Sequence, residues 1–185
     1  ITGYWRSMYQ LRGKLSIVMP AYNEEALIYN SIMQTLSIVE QFAPDLEIIA
    51  VNDGSKDKTK QEIERAIRDD AKQPHPVVPG MRVSGTRIKL VTSNKNRGKG
   101  NAIISGISQA EGDYIAFVDA DLELNPAQLE GYLKKMQESG SDVVIGCKFH
   151  KDSELHYPFV RKVISLGYYM MLLVLFHLNV RDTQT

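Results

Sequence analysis

Residues 114–123 read YIAFVDADLE, an apolar run that leads directly into two aspartates and, two residues later, a glutamate. A short apolar run of this kind predicts a strand buried on both faces, which is typical of a parallel sheet. In open parallel sheets, ligands bind beyond the carboxyl ends of the strands. Asp119, Asp121 and Glu123 would there offer oxygen ligands to a divalent cation shared with a substrate diphosphate. The alternative interpretation is a turn whose acidic side chains are solvated.

The rest of the chain alternates short apolar runs with amphipathic stretches, which predicts an α/β fold with a mostly parallel sheet flanked by helices. Pro20 is expected to stop the first strand, and Pro126 to lie in the first turn of the last of these helices. The other predicted strands are 15–19, 46–51, 88–92 and 143–145, and the predicted helices are about 24–39, 59–70, 101–110 and from 126 onwards.

The composition narrows the possible partners and the cellular compartment. The 185 residues suffice for one domain with a proper core. Lys plus Arg and Asp plus Glu number 22 each, so the chain has no global field that would recruit nucleic acid, and we expect no nucleic-acid partner. A single cysteine, Cys147, excludes an intramolecular disulfide and suits a reducing compartment. Because the chain begins at Ile1, we expect it to be a piece of a longer protein; its oligomeric state is left open.

The last part of the chain differs in kind from the rest. Residues 163–180 are almost all apolar, and they lie between Arg161-Lys162 and Arg181. A helix that is apolar all round is buried either in protein or in lipid. We expect a membrane-interface helix, with a core helix and a membrane span as the alternatives that length and flanks leave open.

Polar residues follow four of the predicted strands and could converge on one crevice. Any one of these groups is a weak signal, but together at the carboxyl ends of parallel strands they predict a nucleotide-diphosphate site with a metal. The groups are the stretch Pro20-Ala21-Tyr22-Asn23-Glu24 after the first strand, Asp53 after the second, Arg97 and Lys99 after the third, and Asp119, Asp121 and Glu123 after the fourth.

Four motifs in this order resemble the family 2 glycosyltransferases of the GT-A fold. They are SIVMPAYNEE at 16–25, VNDGS at 51–55, GKG at 98–100 and DAD at 119–121. The resemblance runs from about residue 14 to the end of the chain. It implies a Rossmann-like GT-A catalytic domain at 14–158, preceded by an N-terminal extension at 1–13 and followed by a membrane-interface helix and truncated segment at 159–185. Residues 72–86, rich in Pro and Gly, would be a flexible insertion.

Three downstream stretches resemble the polyprenyl-phosphate sugar transferases within this family: GCK at 146–148, YPFVRK at 157–162 and RDTQT at 181–185. The resemblance is strongest to dolichyl-phosphate glucosyltransferases, with dolichyl-phosphate mannose synthases next. It implies inverting transfer of a hexose from a nucleotide-diphosphate sugar, UDP-glucose or a related UDP-sugar, to a polyprenyl phosphate at the cytoplasmic face of a membrane. Two alternatives remain open: a glycosyltransferase for a non-lipid acceptor, and an inactive nucleotide-sugar-binding membrane scaffold.

The same resemblance implies roles for individual residues. Asp119, Asp121 and Glu123 would hold Mg²⁺ or Mn²⁺, and Lys148 and Arg161 would position the acceptor phosphate. Asp121, Lys148 and Arg161 would be the catalytic residues. A lipid phosphate is already anionic, so no general base is required. The donor would contact Pro20, Ala21, Tyr22, Glu24, Asp53, Arg97, Lys99, Asp119 and Ala120.

Overall fold

A computed structural model describes residues 9–74 and 86–146. Within these ranges it confirms the α/β fold class. The elements are β1 (Leu15–Ala21), α1 (Ile28–Val39), β2 (Leu46–Asn52), α2 (Thr59–Asp70), β3 (Ile88–Thr92), α3 (Lys99–Ile107), β4 (Tyr114–Phe117) and α4 (Gln128–Ser139). The chain forms two compact units, Ile1–Leu133 and Lys134–Thr185. The sheet and the residues of the cleft described below belong to the first unit.

The four strands form one parallel sheet in the order β3-β2-β1-β4. The chain adds β2 and β3 on one side of β1 and then crosses over through α3 to add β4 on the other side. The strand order therefore reverses between β1 and β4. In open α/β sheets this reversal opens a crevice at the carboxyl ends of the two strands, which is where ligands bind.

Both faces of the central strands are buried. Leu15, Ile17 and Met19 of β1 share one core cluster with apolar residues of α1, α2 and the first half of α4. Val18 on the opposite face packs with Ala102 of α3. Burying each large aliphatic side chain contributes about 1.5–3 kcal/mol, so the two faces together supply most of the driving force for this layered arrangement.

Helix α3 lies very close to the sheet at Gly106. A Cβ atom at this position would overlap the side chain of Val18 in β1 and press against Val51 in β2. Glycine is therefore required for the close approach of helix and sheet. This contact sets the distance between α3 and the sheet. It thereby also sets the position of the first turn of α3 at the carboxyl ends of the strands.

Strand β4 differs from the expectation of burial on both faces. It pairs with β1 in the register Leu15↔Tyr114, and Tyr114 and Ala116 pack against the main core. Ile115 and Phe117, which point to the other face, are 42% and 53% exposed. The prediction was wrong for this face because β4 lies at the edge of the described sheet, beyond α3, which packs on β1 and β2. Continuous apolar character marks a strand as part of a sheet, but it does not identify a central one.

Strand β1 continues through Pro20 instead of stopping before it. The carbonyl of Val18 accepts a hydrogen bond from the N–H of Val118, so the even-numbered residues of β1 direct their backbone groups towards β4. The β1–β4 register ends at Val18↔Phe117, before Pro20 is reached. The missing N–H of Pro20 therefore removes no ladder bond, which is the condition under which a sheet tolerates proline.

Several expectations fall on other parts of the chain. Residues 143–145 form no strand in the described structure, since a short apolar run becomes a strand only where a neighbour supplies its hydrogen bonds. Most of the expected insertion, the apolar run 163–180, Lys148 and Arg161 lie outside the described residues. In the ranges 9–74 and 86–146, no helix has the length and apolar character needed to cross a membrane.

A buried carboxylate ties the amino-terminal end of the sheet together. Glu47 of β2 accepts hydrogen bonds from the Ser16 hydroxyl at 2.6 Å and from the Glu111 N–H at 2.9 Å. Its other oxygen lies 3.1 Å from Lys14 Nζ and 2.9 Å from Lys89 Nζ. Burial raises the pKa of Glu47, but these hydrogen bonds and ammonium groups outweigh it and lower the pKa to about 2.

We expect this carboxylate to make folding stability depend on acid pH. Its pKa is about 2 in the folded protein against an ordinary 4.5, so its contribution is present above pH 4.5 and is lost as the pH falls towards 2. At about 1.4 kcal/mol per pKa unit, the loss amounts to about 3 kcal/mol. Urea unfolding between pH 6 and pH 2 should show this loss of stability, and Glu47→Gln should make the unfolding free energy depend less on pH. Glu64→Gln, at an exposed position, serves as control; identical pH profiles for Glu47→Gln and wild type would contradict the expectation.

Candidate functional site

A cleft of about 350 Å³ opens at the carboxyl ends of β1 and β4, where the strand order reverses. It brings together most of the residues that the sequence predicted for a site, although they come from four separate segments of the chain. Its lining residues are Pro20, Ala21, Tyr22, Glu24, Asp53, Asn96, Gly98, Lys99, Ala102, Asp119, Ala120 and Asp121.

The loops after β1 and β2 are locked to each other by reciprocal hydrogen bonds. The Asn23 N–H donates to the Ser55 hydroxyl at 3.0 Å, and the Asn23 side-chain oxygen accepts the Lys56 N–H at 2.9 Å. The Glu24 N–H donates to the Thr59 hydroxyl at 2.8 Å. Asn23 has a φ of 57°, a conformation that asparagine adopts more readily than most residues. These bonds hold the floor of the cleft at Pro20–Glu24 in one conformation.

Asp53 is buried, with only 3% of its surface exposed, and its carboxylate organises the loop that precedes α3. The Arg97 N–H donates to both carboxylate oxygens at 3.0 and 3.1 Å, and the Gly98 N–H donates at 2.8 Å. Gly54 lets the two loops approach, since a Cβ there would overlap the backbone at residues 95–96 and its φ is +70°. Asp53 thus fixes where α3 begins, whereas the sequence suggested only a contact with a ligand.

The N-terminus of α3 lies at the cleft, where Gly98 and Lys99 are lining residues. Its N-cap is Gly98, with a φ of 91° and no side-chain cap hydrogen bond. Uncapped N–H groups at a helix N-terminus attract anions such as phosphate. Lys99, the first helical residue, adds an ammonium group, whose Nζ lies 2.7 and 2.8 Å from the two carboxylate oxygens of Asp119. This side of the cleft is suited to bind a phosphate-bearing ligand.

The opposite side of the cleft is the turn at residues 119–122. The Asp119 carbonyl accepts the Leu122 N–H at 3.1 Å, and Leu122 has a φ of 51° while its side chain packs against the core. The buried Ser31 hydroxyl of α1 donates to the Ala120 carbonyl at 2.5 Å. A left-handed conformation costs a leucine about 1–2 kcal/mol, and this packing holds it in place. As a result, Asp119 and Asp121 both line the cleft.

The carboxylates fit a metal that is shared with a ligand better than a metal enclosed by protein. In the described part of the chain, no group of three or more His, Cys, Asp or Glu side chains is arranged to hold a metal ion. Mg²⁺ and Mn²⁺ at diphosphate sites need only one or two carboxylates, because phosphate oxygens and water complete the shell. Asp119 already holds one cation, the Lys99 ammonium. The two carboxylates therefore fit a divalent ion that binds together with a diphosphate.

Two predicted residues are not brought into the cleft. The side chain of Glu123 does not line it, and the Glu123 N–H instead donates to Asp121 Oδ1 at 3.2 Å. Of the three carboxylates expected to hold a metal, only Asp119 and Asp121 line the cleft. Arg97 contributes its backbone N–H to Asp53, but it is likewise absent from the cleft lining.

Sequence reasoning missed three residues that the geometry places at the site. Asn96 and Ala102 line the cleft, and the Ser31 hydroxyl holds the Ala120 carbonyl. Gly98, which also lines the cleft, belongs to the GKG motif but was given no role of its own. Ser31 left one weak signal, a hydroxyl on the mainly apolar buried face of α1, where Thr35 carries a second hydroxyl. Nothing local distinguishes Asn96 or Ala102.

Known proteins resemble the chain over most of its length. An undecaprenyl-phosphate 4-deoxy-4-formamido-L-arabinose transferase of Enterobacter sp. (strain 638) is 35% identical over 131 residues, which cover 71% of this chain and 36% of that protein. A dolichyl-phosphate beta-glucosyltransferase of Trichomonas vaginalis is 30% identical over 181 residues, which cover 92% of this chain and 51% of that protein. The chain therefore spans between about a third and a half of the length of these relatives.

Two solved structures share the fold over about two thirds to three quarters of this chain. A mannosyltransferase from Pyrobaculum calidifontis in complex with GDP-Man and Mn²⁺ gives a TM-score of 0.54 at 22% identity, covering 68% of this chain and 33% of that one. TarS 1–349 of S. aureus with UDP-GlcNAc gives 0.53 at 23% identity, covering 75% and 38%. These likenesses confirm the GT-A fold. The family model described as Glycosyl transferase family 2 matches residues 16–182, so the chain belongs to this family.

Proposed function

We propose that the protein transfers a hexose, with inversion, from a nucleotide-diphosphate sugar to a polyprenyl phosphate. The observation that carries the proposal is the two-sided cleft at the β1–β4 switch point. Lys99 and the N-terminus of α3 form an anion-binding side, and Asp119 and Asp121 form a cation-binding side. A metal-bound diphosphate presents both charges at once, and it is the leaving group of a nucleotide-sugar. The names of the two relatives support a lipid-phosphate acceptor.

Different residues of the cleft would bind different parts of the sugar donor. The Pro20–Glu24 floor would frame the nucleoside, and Lys99 with the first-turn N–H groups of α3 would bind the diphosphate. A divalent cation, Mg²⁺ or Mn²⁺, at Asp119 and Asp121 would neutralise the negative charge that grows on the leaving group. Because these contacts strengthen as that charge grows, they would stabilise the transition state more than the bound donor.

The transfer needs no proton to be removed from the acceptor. A phosphate oxygen of the lipid attacks the anomeric carbon, and the bond from that carbon to the diphosphate breaks. The electron pair leaves with the nucleoside diphosphate, so atoms and charge balance without a base. Asp119 and Asp121 therefore need only hold the metal. Lys148 and Arg161, outside the described residues, are proposed to position the acceptor phosphate through charge-assisted hydrogen bonds.

The acceptor also determines where the reaction would take place. A polyprenyl phosphate lies in a membrane, with its phosphate at the surface. We propose that residues 163–180, apolar and flanked by basic residues, bring the cleft to the cytoplasmic face of that membrane. UDP-glucose or a related UDP-sugar is the proposed donor, on the resemblance to the glucosyl-transferring members of the family.

The test is product formation by membrane-reconstituted protein. The reaction would contain Mn²⁺ or Mg²⁺, a polyprenyl phosphate and one labelled nucleotide-sugar at a time, with the organic phase assayed for labelled lipid. We expect a lipid-linked hexose with a UDP-sugar, and none when EDTA is present. Label transferred to a soluble sugar acceptor in place of the lipid would point to a different acceptor class. Nucleotide binding without transfer to any acceptor would point to a non-catalytic binding protein.

Asp53 offers a test of how the diphosphate side is organised. Asp53→Ala would release the Arg97 and Gly98 N–H groups and loosen the start of α3, so we expect the affinity for UDP to fall about tenfold. The affinity for UMP, which lacks the second phosphate, should fall much less. Asp53→Asn keeps one acceptor oxygen and should recover part of the loss. Isothermal titration of UDP and of UMP into the wild-type protein and both variants measures these affinities. An equal loss of affinity for UMP and UDP would instead mean that Asp53 contacts the base or ribose.

A further inference from the structure

The ion pair between Lys99 and Asp119 places a cation of the protein itself where a metal would bind. The Lys99 Nζ lies 2.7 Å from Oδ1 and 2.8 Å from Oδ2 of Asp119, so both carboxylate oxygens are engaged. The two side chains are 60% and 51% exposed, and both line the cleft. A divalent ion that coordinates Asp119 would therefore compete with the ammonium for these oxygens and be repelled by its charge.

The position of Lys99 at a helix start explains why it needs an anionic partner. The N-terminus of a helix carries a partial positive charge, so a lysine in the first turn is unfavourable unless a negative group lies nearby. Asp119 is that group in this structure. A diphosphate bound at the first turn of α3 would be another, and it would carry more charge. Since the lysine stem is flexible, the ammonium can exchange one partner for the other while the backbone stays fixed by Asp53.

We propose that Lys99 is an exchangeable counter-ion of Asp119, which makes metal binding and nucleotide binding depend on each other. When no nucleotide is bound, Lys99 neutralises Asp119 and competes with the divalent ion. When the diphosphate enters, it draws Lys99 away and leaves the carboxylate to the metal. Because coupling between two ligands is reciprocal, the metal strengthens nucleotide binding by the same factor. The inference rests on the proposed function only in taking a nucleoside diphosphate as the ligand.

The size of the effect follows from the exposure of the pair. An exposed ion pair contributes little, so its loss alone changes an affinity by a few-fold at most. Removing a positive charge beside a doubly charged ion adds a further electrostatic gain. Together we expect Lys99→Met to tighten the binding of Mn²⁺ alone by about three- to tenfold, equivalent to about 0.7–1.4 kcal/mol. The same substitution should weaken UDP binding, because the diphosphate loses its lysine.

The experiment measures the binding of Mn²⁺ alone to the full chain by the electron paramagnetic resonance signal of the free ion. It is then repeated with UDP and with GDP. Lys95→Met is the matched control, since it removes the same charge four residues earlier, in the exposed loop before α3 and outside the cleft lining. We expect Lys95→Met to bind Mn²⁺ as wild type does. In wild type, nucleotide should tighten Mn²⁺ binding, and the enhancement should be smaller in Lys99→Met, because Asp119 is already free of the ammonium before the nucleotide binds.

An affinity of Lys99→Met for Mn²⁺ equal to or weaker than that of wild type would overturn the proposal. So would an equal gain in Lys95→Met, which would reveal only a general effect of net charge. Asp119→Asn provides a second reading, because it removes the carboxylate itself and should abolish the gain when combined with Lys99→Met. None of these measurements involves sugar transfer. If Lys99→Met binds Mn²⁺ more tightly but the wild-type protein has no transferase activity, the proposed function is wrong and this inference holds. If the wild-type protein is an active transferase but Lys99→Met binds Mn²⁺ no more tightly, the proposed function holds and this inference is wrong.

Discussion

Asp121→Ala is expected to lower kcat by two to three orders of magnitude while leaving the fold intact. Its carboxylate lines the cleft, and in the described part of the chain it has no ion-pair partner, in contrast to Asp119. Because no cation among the described residues neutralises the Asp121 carboxylate, it is available to bind a divalent metal ion. Removing a preorganised group that stabilises charge in the transition state typically costs about 10²–10³ in kcat. Steady-state transfer to polyprenyl phosphate, with the melting temperature as a check on folding, measures the effect.

Glu123→Gln is the matched control, two residues further along the same turn. The resemblance to known transferases suggested a metal ligand here, but the geometry leaves the Glu123 side chain outside the cleft lining. We therefore expect this variant to keep at least half of the wild-type kcat and its dependence on Mn²⁺. Equal loss in both variants would contradict the two-carboxylate arrangement and restore the three-ligand set. A drop in donor affinity without a change in kcat for Asp121→Ala would reduce its role to positioning the donor.

The order of elements could be predicted from the sequence because each carries a local signal. Helix α2 and strand β3 lie at Thr59–Asp70 and Ile88–Thr92, where the amphipathic and apolar patterns predict them. The location of the cleft also followed, because the carboxyl ends of parallel strands meet at one edge of the sheet whatever their order. A site assembled from strand ends is therefore visible in sequence as polar residues directly after apolar runs.

What escaped prediction depends on contacts between distant parts of the chain. Asp53 accepts hydrogen bonds from N–H groups 44 and 45 residues further along the chain. No local sequence pattern distinguishes such a carboxylate from one that is free to bind a ligand. The left-handed conformation of Leu122 forms the turn that carries Asp119 and Asp121, and it follows from packing of that leucine in the core. The exposure of Phe117 depends on which strand lies at the edge, a property of strand order that apolar character does not encode.

Asp70→Ala is expected to cost about 3–5 kcal/mol of unfolding free energy, a large part of the stability of an ordinary domain. The carboxylate ends α2 and is fully buried. It accepts hydrogen bonds from the Thr86 hydroxyl at 3.0 Å, from the Arg87 N–H at 2.7 Å and from the Arg87 guanidinium at 2.8 and 3.2 Å. Burial raises the pKa of Asp70, but the Arg87 side chain and backbone outweigh it and hold the pKa below its usual value.

The cost arises because removing one partner leaves Arg87, whose side chain is only 10% exposed, with Glu40 at 2.8 Å as its remaining partner among the described residues. Urea unfolding of the single variant should show the loss as a lower midpoint at an unchanged slope. The double variant Asp70→Leu/Arg87→Met removes both charges together and should be more stable than Asp70→Ala, since neither charge is then left buried alone. Glu64→Ala breaks an exposed pair with Lys60 at 3.6 Å and should cost less than about 1 kcal/mol. A cost for Asp70→Ala as small as that of Glu64→Ala would mean that the two ends of the segment between α2 and β3 are held together by other contacts, and that the Asp70–Arg87 pair is dispensable for the sheet.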